Sequence, residues 1–252
     1  MGKLITIASG KGGVGKTTTS INLGAAINSF GKEVIVVDAN LTTPNIGLHL
    51  GAPIVPISLN HVLNGKAKIS DAIYEHESGT KIIPSSLSIN DMKNLNSKKL
   101  KEVGRKLRKM ADIVIYDCAA GLGEEAIAAM ESSDELILVT NPEIPAVTDA
   151  LKTSKMAEQM GKTVKGVIVT RSKKIKSEMP ISNIQEMLEL PILGVIPEDA
   201  RFQSSLMMKD ALVHTFPKAK ASREYKKIAA RIIGNNHYKN EVGFWKRLLG
   251  NY

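Results

Sequence analysis

Residues 10–18 read Gly10-Lys11-Gly12-Gly13-Val14-Gly15-Lys16-Thr17-Thr18 and satisfy the pattern G-x-x-x-x-G-K-[ST] at every fixed position. Few short stretches restrict a fold so tightly. Glycine tolerates the left-handed backbone that turns successive N–H groups inward, and those groups cradle phosphate only where a strand delivers the loop and a helix continues from it. The flanks meet both needs: the apolar run Leu4-Ile5-Thr6-Ile7-Ala8 leads in, and residues 17–30 carry Ile21, Leu23, Ala26 and Ile27 for a buried helix face. In such a loop Gly12, Gly13, Val14 and Gly15 supply main-chain N–H groups, with Thr17 and Thr18 opening the helix. Lys16 would neutralise the outer phosphates, and Thr17 would offer its hydroxyl to magnesium.

Two further apolar runs end in an acid: Glu33-Val34-Ile35-Val36-Val37-Asp38 and Asp112-Ile113-Val114-Ile115-Tyr116-Asp117. They read as buried parallel strands that bring Asp38 and Asp117 to the carboxyl edge, where open α/β sheets bind ligands. Strands are also expected at 81–84, 135–140, 164–171 and 191–197, with helices at 95–110, 146–160 and 222–233. This alternation predicts a single α/β domain over residues 1–233, a P-loop NTPase with a mostly parallel sheet covered by helices on both faces. Residues 49–80 are less informative. A chain of 252 residues with 43% hydrophobic content can bury such a core. Its single cysteine, Cys118, excludes an internal disulfide or a cysteine-cluster metal site and reads as a small buried thiol. No run of apolar residues is long enough to cross a bilayer and no signal-type segment opens the chain, so a cytoplasmic location is expected.

The net charge of +9 is unevenly spread: residues 201–252 hold eleven Lys or Arg against Asp210, Glu224 and Glu241. A second basic run, residues 98–109, has seven cations and one acid. Such runs are either solvated faces or sites for an anionic partner, membrane or nucleic acid. Residues 234–241 have a linker composition. Beyond them, Val242-Gly243-Phe244-Trp245-Lys246-Arg247-Leu248-Leu249-Gly250 places Val242, Phe244, Trp245, Leu248 and Leu249 on one side of a helix, away from Lys246 and Arg247. Residues 242–252 therefore read as a tail lying on an anionic bilayer, peripheral on the inner membrane face, or else as a helix docked on its own domain.

The loop Lys11-Gly12-Gly13-Val14-Gly15-Lys16-Thr17-Thr18 resembles the deviant P-loop of the MinD/ParA ATPases, and the likeness to the MinD-like branch runs along the whole chain. The resemblance implies ATP and Mg2+ as cofactors and a homodimer formed around ATP, with Lys11 reaching the partner's nucleotide. Asp149 matches a position at that dimer face, although an ordinary exposed first-turn acid is the equal alternative. Residues 39–45 resemble the first switch loop and residues 119–123 the second, with Asp117 holding magnesium through a water and Asp38 beside it. The family pattern has an acid where this chain has Asn40, and an amide orients water without taking its proton, which implies slow turnover. Thr170-Arg171 and Pro197-Glu198-Asp199 resemble the segments that bracket adenine. The tail resembles the family's membrane-targeting end.

The expected function is that of an ATPase that binds the membrane as its ATP dimer and positions cell-division or other surface machinery through a regulatory or effector protein. A DNA-partitioning ATPase, a flagellar-placement ATPase and a slow or non-hydrolysing ATP-dependent scaffold are the alternatives.

Overall fold

The computed structural model describes residues 1–93 and 95–235. Eight strands form one sheet: β1 (Lys3–Ala8), β2 (Val34–Ala39), β3 (Tyr74–Glu75), β4 (Lys81–Ile83), β5 (Ile113–Cys118), β6 (Glu135–Thr140), β7 (Thr163–Ser172) and β8 (Ile192–Pro197), in the order β3-β4-β2-β5-β1-β6-β7-β8. Every neighbouring pair is parallel except the antiparallel β3–β4. The central strands are apolar on both faces because both are covered. Ile5, Ile7, Val34, Val36, Ile113 and Ile115 enter one core with the helices α1 (Lys16–Asn28) and Lys220–Ile232. Leu4, Ile35, Val37, Val114 and Tyr116 enter a second core with the helices Leu100–Leu107, Glu124–Ser132 and Ile144–Gln159.

The chain leaves β1 through α1 toward β2 on one side, and leaves β6 through Ile144–Gln159 toward β7 on the other. Right-handed crossovers running in opposite directions must cover opposite faces, so a crevice opens between the carboxyl ends of β1 and β6. The P-loop lies there. Close packing fixes its start and the helix that follows: a Cβ on Gly10 would come 2.2 Å from the main-chain oxygen of Asp149, and one on Gly24, within α1, would come 2.5 Å from Val36 Cγ2.

The expected 95–110 helix is shorter. A 3-10 turn at Ser97–Lys99, started by Asn96 accepting from the Lys98 N–H, precedes Leu100–Leu107. It stops there because the Arg108 carbonyl accepts the Gly2 N–H, which ties the helix end to the entry of β1. Other boundaries moved by one or two residues, as at α1 and at Lys220–Ile232.

Candidate functional site

In β2 and β5 the residues alternate between the two cores, and Asp38 and Asp117 are register partners. They share the parity of Val36 and Ile115 and so face α1. Both are fully buried. Gly13 and Gly15 adopt φ 77° and 87°, and Gly15 immediately precedes α1. One helical turn then brings Lys16, Thr17 and Ser20 to the same carboxylate. Asp117 Oδ2 accepts from Thr17 Oγ1 at 2.6 Å, its Oδ1 accepts from Ser20 Oγ at 3.0 Å, and Lys16 Nζ stands 3.7 Å from Oδ1. Ser20 was not anticipated, although its spacing from Lys16 is the helical repeat that would have found it.

Among the described residues Asp38 forms no ion pair. Burial, and next the charge of Asp117, push its carboxyl up to about 8, opposed by main-chain N–H donors. Those donors are Ile46 at 2.9 Å, Asn45 at 2.8 Å and Asn40 at 3.3 Å. The loop after β2 is thus folded around the acid, and Ser85 Oγ donates to the Asp38 carbonyl at 2.7 Å. Asn40 is engaged within that loop: Nδ2 donates to the Thr43 carbonyl at 2.5 Å and Oδ1 accepts from Thr43 Oγ1 at 3.0 Å. Glu125 ties the same loop to the start of the helix Glu124–Ser132, accepting from the Leu41 N–H at 3.0 Å. Partial burial raises its carboxyl. Cys118 is buried and its thiol is pushed up to about 12 by burial, as befits an inert core residue.

The oxygen donors Thr17, Asp38 and Asp117 suit a hard cation of magnesium type. Among the described residues no group of three or more His, Cys, Asp or Glu could hold a metal, so the remaining coordination positions fall to phosphate oxygens and water. Beside the loop, a cavity of about 230 Å3 is lined by Gly15, Thr18, Thr170, Arg171, Pro197 and Glu198, joined by Phe202, Gln203 and Tyr225. Four of the five expected base-side residues are therefore brought together. Asp199 is not among them: its carboxylate is held by Arg201 at 2.8 and 2.7 Å, in a neighbouring cleft. The Thr170 hydroxyl is turned to the P-loop, 2.6 Å from the Val14 carbonyl and 2.9 Å from Asn141 Oδ1. Phe202 and Tyr225 meet edge to face at 6.5 Å, and Tyr225 Oη lies 3.1 Å from Thr19 Oγ1.

Lys11 is 45% exposed and stands 3.7 Å from Glu143, itself 59% exposed. Asp149 lies beside the beginning of the loop and pairs with Lys152 at 3.2 Å. It is the sixth residue of Ile144–Gln159, so it does not belong to the first turn. The tail residues Phe244, Trp245, Lys246, Arg247, Leu248 and Leu249 lie outside the described residues. Among the described residues no helix is long and apolar enough to cross a membrane.

Residues 2–176 match the family described as an AAA domain. The septum site-determining protein MinD of Neisseria meningitidis is 31% identical over an alignment of 272 positions, gaps included, covering 99% of this chain and 100% of that protein. This chain belongs to the MinD/ParA family of P-loop ATPases. An uncharacterised ATP-binding protein of Methanocaldococcus jannaschii is more similar in sequence, 41% identical over 230 residues, covering 91% of this chain and 87% of the relative. Among solved structures, MinD of Pyrococcus horikoshii complexed with Mg-ADP superposes with a TM-score of 0.88 at 36% identity, covering 92% of this chain and 96% of that one. As a MinD/ParA-family chain, this one carries the P-loop, the two acid-ended strands and the cavity lined by Thr170, Arg171, Pro197 and Glu198 on a shared sheet edge.

Proposed function

We propose that this protein binds Mg-ATP at the P-loop, dimerises in the ATP state, hydrolyses slowly and carries its tail to an anionic membrane surface, where a regulatory or effector protein reads the dimer to position cell-division or other surface machinery. The observation that carries the reading is the grip of Thr17, Ser20 and Lys16 on Asp117 at the mouth of the loop. The Mg-ADP complex of the Pyrococcus horikoshii relative supports the choice of ligand. Bound Mg-ATP would supply a polarised terminal phosphoryl group for transfer to water. Thr17 would exchange its bond to Asp117 for the metal, while Asp38 and Asp117 would hold the metal's water shell. Asn40, committed to Thr43, is not free to take a proton, which favours slow turnover.

Lys11 supports dimerisation because its partner in this chain is distant and solvated, so reorienting the side chain costs at most about 1 kcal/mol. For the tail, burying four or five apolar side chains at ~1.5–3 kcal/mol each and placing two cations near anionic lipid at ~1 kcal/mol each must offset ordering. Two tails on one dimer make the second contact intramolecular, so ATP would set membrane affinity through avidity. Liposome flotation with and without ATP tests the whole reading. Binding should require ATP and should vanish with Trp245→Glu plus Leu248→Glu while hydrolysis in solution persists. Flotation that ignores both ATP and the tail would refute it. Lipid-independent DNA binding that falls steeply with salt would favour partitioning instead.

A further inference from the structure

Among the described residues, strand β8 has β7 as its one neighbour in the sheet. Its other edge faces a groove of about 1050 Å3 bounded by the segment after β7 and the helix Lys220–Ile232. An edge strand presents main-chain N–H and C=O groups that a second strand can complete. One β8 carbonyl, that of Leu193, already accepts from the guanidinium of Arg231 on the helix beside it. The floor of the groove is apolar, formed by Ile192, Gly194, Val195 and Pro197.

The walls are cationic. Lys173, Lys174, Lys220, Arg223, Lys227 and Arg231 stand against the carboxylates of Glu198 and Glu224. Lys220, Arg223, Lys227 and Arg231 are spaced by three, four and four residues, which puts them on one stripe of the helix, about 16 Å long at ~1.5 Å per residue. Lys227 pairs with Glu224 at 2.6 Å. Lys174, Lys220 and Arg223 make no ion pair among the described residues, and all three are exposed. Three such cations beside a strand edge select for a ligand that is both extended and anionic.

We propose that this groove binds an acidic peptide in extended conformation, added to β8 as a further strand, with its carboxylates held by Lys174, Lys220 and Arg223. Side chains of an added strand alternate between the two faces of the sheet, so every second residue would meet the cationic stripe, and about five strand residues at ~3.3 Å each span its length. Acid alternating with apolar residues is the pattern that fits. The charge that keeps a second copy of this edge from pairing admits a strand of opposite sign. A nucleic acid strand is disfavoured because, among the described residues, no aromatic side chain lines the groove for unpaired bases to stack on. The groove borders the cavity beside the P-loop, sharing Pro197 and Glu198 with it, but contains no P-loop residue, and the proposal goes beyond the nucleotide reading and stands without it.

Fluorescence anisotropy on the full chain decides it, with a labelled peptide of alternating Glu and Val, roughly eight residues long, as probe. A peptide of alternating Glu and Pro, equal in charge but lacking half the N–H donors, is the control. The Glu-Val peptide should bind at low salt, and the Glu-Pro peptide should bind at least about tenfold more weakly. Lys174→Glu with Arg223→Glu should cost about tenfold or more in affinity while the thermal midpoint and circular dichroism stay unchanged. Equal affinity for the two peptides, no effect of the charge reversal, or no measurable binding of the Glu-Val peptide would each overturn the proposal. Tighter binding of oligothymidylate or of phosphatidylserine vesicles, lost on the same reversal, would assign the groove to nucleic acid or lipid and would overturn it too.

Discussion

Thr170→Val separates a residue that reads the base from one that holds the loop. The Thr170 side chain is 4% exposed, and its hydroxyl sits 2.6 Å from the Val14 carbonyl, 2.9 Å from Asn141 Oδ1 and 3.2 Å from the Thr140 carbonyl. Valine fills nearly the same space without the hydrogen bond. A buried acceptor left without its donor costs about 1–3 kcal/mol, and 1 kcal/mol moves the thermal midpoint of a domain of this size by about 2–4 °C. Val14 directly precedes Gly15 and Lys16, so a loosened Val14 carbonyl disturbs the phosphate cradle for any nucleotide. The midpoint should therefore fall by several degrees, and the affinities for fluorescent ATP and GTP analogues should weaken by the same factor, up to about tenfold per 1.4 kcal/mol. Scanning calorimetry and nucleotide titration measure the two effects. An unchanged midpoint together with a shifted ATP-to-GTP ratio would show that Thr170 reads the base and that its bond to the loop is incidental.

Lys11→Ala should change stability by no more than about 0.5 kcal/mol, because its pairing with Glu143 is long and solvated. It should bind ATP yet fail to dimerise in sedimentation with ATP; normal dimerisation would remove Lys11 from the interface. In protein free of nucleotide and magnesium, the raised Asp38 carboxyl makes the folded state bind more protons than the unfolded state between the ordinary value of 3.8 and about 8. Stability is then greatest below that window and declines as pH rises through it, by at most about 1.4 kcal/mol per pH unit. Asp38→Asn should flatten the decline, and denaturant melts at pH 5, 6.5 and 8 with equal slopes for both proteins would refute the assignment. Asn40→Asp should raise single-turnover hydrolysis by no more than about a hundredfold, since the new carboxylate also loses its donation to the Thr43 carbonyl. Equal rates would make position 40 neutral.

The phosphate loop and both acid-ended strands were legible because each is local: a contiguous pattern, or an apolar run with one charge at its end. The sheet followed, since strands buried on both faces read as unbroken apolar segments. The base-side cavity was legible only in part. Phe202, Gln203 and Tyr225 reach it from the last quarter of the chain, and no spacing within that region marks them as neighbours of Gly15. Glu125 was missed for the same reason, its partner Leu41 being 84 residues away. The Asp199 carboxylate is held by a guanidinium two residues along, a local side-chain pairing that a residue pattern does not weigh and that leaves the main chain of 197–199 out of account. Thr170 does line the cavity beside the loop, while the direction of its hydroxyl depends on Val14 arriving from the other end of the chain.

The pairing of Asp38 with Asp117 also bears on how the sheet finds its alignment. Val34, Ile35, Val36 and Val37 are buried on both faces of β2, so sliding the strand by one residue against β5 would exchange one apolar set for another at little cost in burial. The acids break that degeneracy. A one-residue slip turns a strand's side chains to the opposite faces, which would drive Asp38 out of its ring of main-chain N–H donors and into the layer occupied by Leu41, Leu59 and Val37. A carboxyl group left there without its hydrogen-bond partners costs about 1–3 kcal/mol. The residues that would hold the metal's water shell therefore also reject the misaligned sheet during folding, and variants that neutralise Asp38 should refold with more kinetic heterogeneity than the native chain even where their final stability is higher.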